Sequence, residues 1–293
     1  MNNSIKKVVK IYLSGSKHWV GDGFQVRNFF PSNDIDKQIS PFLLLDYAGP
    51  TDFPPSNQPR GVGEHPHRGF ETVTIVLQGK VQHRDSAGNH GTIGAGDVQW
   101  MTAASGVVHE EMHEKSFTQK GGTLEMVQLW VNLPKAYKMS TPRYQTLLDQ
   151  EIPKINLPNE IGYVRVIAGE FQNKRGPANT FTPINLYDVL LKANSSLQLT
   201  LPETYNTGIF VLNGDIDLNQ THSATDANFV LFDPQGRDIF IAAKKDSHLL
   251  VLNGEPILEP IARQGPFVMN TEEELHQAAS DYRSGKMGRL APL

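Results

Sequence analysis

The sequence has 293 residues, a formal net charge of −4 and no cysteine. The length is about twice that of a common domain, which predicts two domains. The mildly acidic balance excludes a general electrostatic attraction to nucleic acid or to an anionic membrane surface, and the lack of cysteine excludes disulfides, cysteine-ligated zinc and iron–sulfur clusters.

Apolar residues form no run near the roughly 20 residues of a membrane span. The segment MNNSIKKVVKIYLSG also lacks the apolar core of a signal peptide. We therefore expect no membrane association and a cytoplasmic location. Any tightly bound metal would have to use histidine, carboxylate, carbonyl or water ligands.

Short runs of β-branched and aromatic residues dominate the chain, bounded by Gly, Asn, Asp and Pro as in sandwiches and barrels. In chain order the predicted strands are 73–77, 98–101, 124–131, 163–168, 186–191, 209–212, 229–232, 239–242 and 249–252. Asn-Gly and Gly-rich turns between them supply the positive φ angles of tight hairpins. The pattern predicts an all-β fold with a few short helices.

Two helices are predicted late in the chain and near its middle. Thr271 and Glu274 fit a capping box, and the following segment continues to Gly285, a helix stop. A shorter helix is predicted over 142–150. The region 132–158 is rich in Pro, Lys, Tyr and Asn and interrupts the strand rhythm, so we predict domains at 1–134 and 159–293 with a connection at 135–158.

Two couplets of ligand-type residues stand out in the first domain. Residues two apart in a strand face the same way, so His65 and His67 share one face, and so do His109 and Glu111. If the couplets lie on neighbouring strands, four ligands converge. Either couplet alone is a weak signal, since such pairs are more often surface or core. Both sit behind Gly-rich turns at a spacing that suits one small barrel, which favours the metal site.

Other candidates have less support. By the same alternation Glu71 would lie on the face of His65 and His67, and His113 on that of His109, so each could be a ligand or could orient one. Glu110 should point the opposite way. The remaining histidines are expected to be solvated loop residues or to have no functional partner: His18, His83, His90, His222, His248 and His276.

Three imidazoles and one carboxylate leave two positions of an octahedron open. Such a nitrogen and carboxylate set favours Fe(II), with Ni, Mn, Cu, Co and Zn left open. Structural zinc has a closed shell of four ligands, so zinc is less favoured.

At these residues the sequence resembles the pirin family of the cupin superfamily. The resemblance is carried by residues 65–72 (HPHRGFET), 96–102 (GDVQWMT) and 106–112 (GVVHEEM), and further by 41–46, 129–134, 254–256 and 265–270. It covers nearly the whole chain. It implies a bicupin, two β-barrels in tandem, with one divalent metal in the N-terminal barrel, a metal-free C-terminal barrel and a terminal helix that packs back on the rest.

The resemblance also implies the ligands. They are His65, His67, His109 and Glu111, which are the four side chains selected by strand alternation. The general cupin pattern takes its carboxylate from the first motif, at Glu71, whereas in pirins the glutamate of the second motif replaces it. Glu71 is therefore expected beside the ligands rather than among them.

The family resemblance implies two alternative functions. One is a quercetin 2,3-dioxygenase, in which the metal would bind a flavonol or similar phenolic substrate together with dioxygen, and Glu111 would be both ligand and nearest base. The other is a regulatory protein that senses metal or redox state and binds a transcription factor or a metabolic enzyme. The acidic net charge fits a protein partner better than direct nucleic-acid binding. The sequence does not separate the two functions.

Overall fold

The computed structural model describes residues 4–13, 15–31, 35 and 37–291. Nearly all regular structure in these residues is β. In chain order the strands up to residue 156 are β1 (Val8–Leu13), β2 (Lys17–Val20), β3 (Phe24–Phe30), β4 (Phe42–Phe53), β5 (Gly61–His67), β6 (Phe70–Gln78), β7 (Lys80–Asp85), β8 (His90–Gly94), β9 (Val98–Thr102), β10 (Val107–His113), β11 (Gly122–Asn132), β12 (Arg143–Leu147) and β13 (Lys154–Asn156).

The second half continues in the same way. Its strands are β14 (Gly162–Ala168), β15 (Glu170–Phe171), β16 (Lys174–Arg175), β17 (Ile184–Leu191), β18 (Ser195–Thr200), β19 (Asn206–Asn213), β20 (Asp215–Leu218), β21 (His222–Thr225), β22 (Asn228–Phe232), β23 (Asp238–Ala243), β24 (Ser247–Gly254), β25 (Ala262–Gln264) and β26 (Phe267–Met269). The all-β prediction is confirmed, and each of the predicted strands lies within an observed one.

The N-terminal barrel comprises Ser16–Pro31, Phe42–Asp149 and Ile257–Leu293. One sheet has the order β5-β10-β7-β8 and the other β12-β9-β6-β11-β4-β3-β2. Thr74 of β6 donates a hydrogen bond to the Glu111 carboxylate of β10 at 3.2 Å. The two sheets therefore face each other across a common interior.

The C-terminal barrel comprises Met1–Gly15, Ser32–Pro41 and Gln150–Pro256. Its sheets have the orders β18-β23-β20-β21 and β1-β22-β19-β24-β17-β14-β13, so the pairing scheme of the N-terminal barrel recurs. Its core is a continuous, largely aliphatic cluster to which both sheets contribute, and it includes Leu197, Leu199, Ile209, Val230, Ile239, Ile241 and Val251. The two tandem cupin barrels expected from the sequence are confirmed.

Each barrel includes a piece from the far end of the chain, so the compact units differ from the consecutive domains predicted at 1–134 and 159–293. Strand β1 pairs antiparallel with β22 and extends a sheet of the C-terminal barrel. The segment after Pro256 belongs to the N-terminal barrel, where the Arg68 amide donates to the Pro266 carbonyl at 3.3 Å. Backbone pairing, which composition does not reveal, decides this division.

The helices are few and short among the described residues. They are α1 (Lys115–Lys120), α2 (Glu272–Arg283) and the 3₁₀ turns Lys135–Tyr137, Asp149–Glu151 and Pro158–Glu160. The capping box of α2 is confirmed: Thr271 Oγ1 accepts from the Glu274 amide, and the Glu274 carboxylate accepts from the Thr271 amide. No described helix combines the length and hydropathy that crossing a membrane requires.

The helix predicted over 142–150 is wrong. Residues Arg143–Leu147 form β12, which pairs with β9 at the edge of the seven-stranded sheet. Five residues with mixed burial carry no clear period, so tertiary pairing decided the structure there. The short helix α1 was not predicted from the sequence.

Candidate metal centre

The centre begins with the pairing of β5 and β10. His65 lies directly opposite His109, and His67 lies opposite Val107. The register then slips, so that Glu111 faces Val62. This irregularity puts one extra residue into β5, and such bulges redirect side chains beside functional sites.

Three imidazoles converge at this point. One nitrogen from each of His65, His67 and His109 lies within 4.8 Å of the others. The ring centroids of His65 and His109 are 4.2 Å apart, and His67 lies 4.8 Å from each of them. His67 and His109 are buried, whereas His65 is half-buried.

The donor atoms fit a metal ion. Nδ1 of His65 lies 2.8 Å from the Gly63 carbonyl, and only a protonated Nδ1 can donate there, so that Nε2 keeps its free lone pair. Nδ1 of His67 and both ring nitrogens of His109 are buried with no hydrogen-bond partner in the structure. Buried polar atoms are normally paired, so orphaned nitrogens that converge are what a metal-binding site requires.

The electrostatics favour the neutral, ligating form of His67 and His109. Burial lowers the pKa of His67 and of His109 well below the ordinary value, and the neighbouring imidazoles lower both further. Metal ligation requires the neutral imidazole. These two imidazoles can therefore bind a metal without first losing a proton at neutral pH.

Glu111 lies on the same face of β10 as His109 but outside the group of three converging nitrogens. Its buried carboxylate accepts a hydrogen bond from Thr74 Oγ1, which in turn lies 2.7 Å from Gln128 Oε1. Burial raises the pKa of Glu111, while His65 and the Thr74 hydrogen bond oppose the rise. Glu110 points outward to an ion pair with Arg84 at 2.6 Å, as strand alternation predicts.

The turn after His67 is fixed by the C-terminal segment. Gly69 has φ +88°, and a Cβ there would lie 1.9 Å from the Val268 carbonyl oxygen, so only glycine fits. Arg68 forms a buried ion pair with Asp281 of α2 at 2.9 Å. The buried Lys138 ammonium donates to the Gly69 and Val268 carbonyls. The predicted packing of the terminal helix against the rest of the protein therefore holds the first histidine motif.

The expected position of Glu71 on the ligand face is wrong. Strand β5 ends at His67 and β6 starts at Phe70, so the alternation restarts and Thr74, three residues from Glu71, faces the interior instead. Glu71 is buried on the opposite face, where Thr102 donates to its carboxylate at 2.6 Å. Burial raises the pKa of Glu71 to about 7.

His113 belongs to a different end of the barrel. Its Nε2 lies 2.8 Å from the Gly23 carbonyl, and its ring packs edge-on against Phe24, Phe53 and Phe117. It lies outside the converging group. The contacts indicate that His113 packs the barrel interior rather than binding the ion.

Sequence reasoning missed His83, which was expected in a solvated loop. It is a buried residue of β7, opposite Glu111, and its ring stacks on Tyr144 with centroids 4.5 Å apart. The Tyr144 hydroxyl lies 3.2 Å from His83 Nδ1, while His83 Nε2 has no partner in the structure. The alternation with buried Val81 is the signal that could have placed it. His248 also has an unforeseen partner, the buried carboxylate of Asp188.

The wall of the site on the seven-stranded sheet is largely flat and aromatic. Phe70 and Trp130 lie 5.1 and 5.3 Å from the His67 ring. The guanidinium of Arg263 lies 4.9 Å from the Trp130 ring and donates to the Leu43 carbonyl. This surface can pack against a planar ring beside the ion site.

Two tandem barrels, with a converging histidine group in the first and an aliphatic core in the second, define a cupin protein of the bicupin type. The chain belongs to the pirin family: the family model Pirin matches residues 23–131, and that for the Pirin C-terminal cupin domain matches residues 186–288.

One relative is a Pseudomonas aeruginosa protein provisionally named quercetin 2,3-dioxygenase PA2418. Its sequence is 54% identical to this chain, and the alignment covers 97% of this chain and 99% of that protein. Human pirin is 35% identical to this chain, and that alignment covers 97% of this chain and 95% of human pirin. A solved structure titled quercetin 2,3-dioxygenase from Acinetobacter baumannii superimposes with a TM-score of 0.95 at 46% identity, covering 98% of this chain and all of that one.

Proposed function

We propose that the protein is a metal-dependent quercetin 2,3-dioxygenase that acts on a flavonol or a similar phenolic substrate. The observation that carries the proposal is the convergence of three imidazoles, with orphaned nitrogens, beside a buried carboxylate and an aromatic wall. The names of the bacterial relatives support the same function.

In this proposal His65, His67, His109 and Glu111 hold one ion, with Fe(II) favoured by the nitrogen and carboxylate donor set. When bound, a divalent transition metal supplies Lewis acidity and open coordination positions for two reactants. Ni, Mn, Cu, Co and Zn are the alternatives.

The chain's own residues have separate tasks. Phe70 and Trp130 pack against the planar substrate and exclude water. Glu111 is the nearest base for the substrate's hydroxyl proton, because its buried carboxylate lies on the same face of β10 as His109. The Gly63 carbonyl fixes the ring of His65, and the segment around Val268 fixes the turn that follows His67.

The test is the dioxygen-dependent loss of quercetin absorbance by purified protein of measured iron content. We expect turnover by the wild type, and a loss of at least about 100-fold in kcat for His65→Ala and for Glu111→Gln. His222→Ala, at an exposed histidine of β21, is the matched control and should retain full activity.

Negligible turnover by fully metallated wild type would reject the dioxygenase. The alternative, a regulatory protein, would then be favoured. Recovery of a transcription factor or a metabolic enzyme with the metallated protein would support it. Metal analysis that finds no stoichiometric ion would reject the metal centre itself.

A further inference from the structure

The side chain of Gln99 is buried and yet lacks any hydrogen-bond partner in the structure. Its exposed fraction is 0%, and neither Nε2 nor Oε1 is bonded. An unpaired buried amide is destabilising, and core positions of this kind are normally apolar. A group with both a donor and an acceptor free in a protein interior indicates a ligand contact.

Strand register places Gln99 on the wall of the proposed active site. Gln99 of β9 pairs with Thr74 of β6, and paired residues direct their side chains to the same face of a sheet. Thr74 hydrogen-bonds to Glu111 across the interior. Gln99 is therefore one strand away from the residue that contacts the carboxylate.

A second orphaned group lies near it on the same wall. The hydroxyl of Thr72 is buried without a partner, and Thr72 shares the inward face of β6 with Thr74. Thr72 pairs with Met101 and with Trp130, so the polar pair is bordered by apolar and aromatic side chains. The wall thus combines flat apolar surface with two unused polar groups.

We propose that Gln99, assisted by Thr72, is a specificity-determining subsite for a hydroxyl-bearing edge of the planar phenolic substrate. The inference rests on the proposed function and adds which feature of the substrate is recognised. A carboxamide offers an acceptor and donors side by side, which matches two neighbouring ring hydroxyls of the substrate. Sites that hydrogen-bond a substrate hydroxyl discriminate strongly against analogues that lack it.

The experiment compares quercetin with 3-hydroxyflavone, which keeps the flavonol hydroxyl and carbonyl but has no further ring hydroxyls. The variants are Gln99→Leu and, as a second replacement of similar length, Gln99→Met. Gln82→Leu is the matched control, because Gln82 lies on the outward face of β7, between the inward Val81 and His83. Two readouts are taken: kcat/KM, and the anaerobic dissociation constant of each flavonol from quenching of tryptophan fluorescence.

The wild type and Gln82→Leu should prefer quercetin by roughly 10- to 100-fold in both readouts, the effect of one or two buried hydrogen bonds. Both Gln99 variants should lose that preference while they keep metal content and their kcat/KM on 3-hydroxyflavone within about twofold.

The proposed subsite would be overturned if the Gln99 variants kept the preference for quercetin, or if the wild type did not discriminate between the two flavonols. Neither result would contradict the proposed dioxygenase activity. A wild type that neither binds nor converts either flavonol overturns both. Loss of turnover on both flavonols in folded, metallated Gln99 variants would assign Gln99 a general role in the site and would equally overturn a role in specificity.

Discussion

The two barrels use the same strand pairing to build opposite interiors. In the N-terminal barrel β5 pairs with β10, and His65 faces His109. The corresponding pair in the C-terminal barrel is β18 with β23, where Leu197 faces Ile241. One barrel therefore carries orphaned polar atoms where the other is filled with aliphatic side chains.

The difference indicates that this strand arrangement can be held together by an apolar interior alone. The C-terminal barrel buries an uninterrupted hydrophobic core, which is sufficient to hold two facing sheets together. The N-terminal barrel has less of this hydrophobic stabilisation, because its interior holds the polar side chains of the candidate metal centre. Polar groups left unpaired at such a site are a usual cost of function.

The largest expected effect is in the C-terminal barrel. Ile241→Ala should lower the free energy of unfolding by about 2–5 kcal/mol, because it leaves a cavity in a closed core, while metal content stays unchanged. Urea denaturation and metal analysis measure the two quantities. The control is Phe240→Ala on the outward face of the same strand, where the side chain is 40% exposed. A loss of metal in Ile241→Ala would contradict the independence of the two interiors.

A smaller effect is expected from making the N-terminal barrel resemble its partner. In chelator-treated protein His109→Ile should raise the free energy of unfolding by about 1–3 kcal/mol, because it removes two unpaired buried nitrogens, and it should abolish metal binding. The reciprocal change, Ile241→His, should destabilise the protein without creating a metal site. Metal-free His109→Ile that is less stable than the wild type would show that the imidazole contributes to the fold.

The third effect is a dependence of stability on pH, and it concerns one buried lysine in each barrel. Lys138 donates to Gly69 and Val268, and Lys6 donates to the Asp233 and Pro234 carbonyls. Burial lowers the pKa of Lys138 to about 7 and that of Lys6 to about 8. Between these values and roughly 10.4 the unfolded chain binds more protons, so each lysine makes stability rise with pH, by at most about 1.4 kcal/mol per pH unit.

Lys138→Met and Lys6→Met should each flatten this rise in urea denaturation between pH 7 and 10. Lys174→Met, at an exposed residue of β16, should leave it unchanged. An unaltered slope in both buried-lysine variants would mean that the two ammonium groups stay protonated throughout the range.

Much of the site follows from alternation inside single strands. The convergence of His65, His67 and His109 could be anticipated because each couplet lies within one strand, where a spacing of two fixes the face. Glu111 shares the face of His109 but lies outside the three converging nitrogens, and its role as a ligand stays a prediction. The prediction failed for Glu71, where a turn restarts the count, and for the helix expected over 142–150, where the edge strand β12 has no clear period of its own. Gln99 could not be singled out, because its orphaned state depends on which strands pair.

Each barrel includes a segment from the far end of the chain, and this affects the order in which the barrels can fold. During synthesis the first cupin motif emerges early, yet the strands and helix that lock its turn lie in the last segment, after Pro256. Most of the N-terminal barrel is translated first, but the barrel can be completed only when translation ends. A cut at the midpoint of the chain would leave each fragment without part of its own barrel.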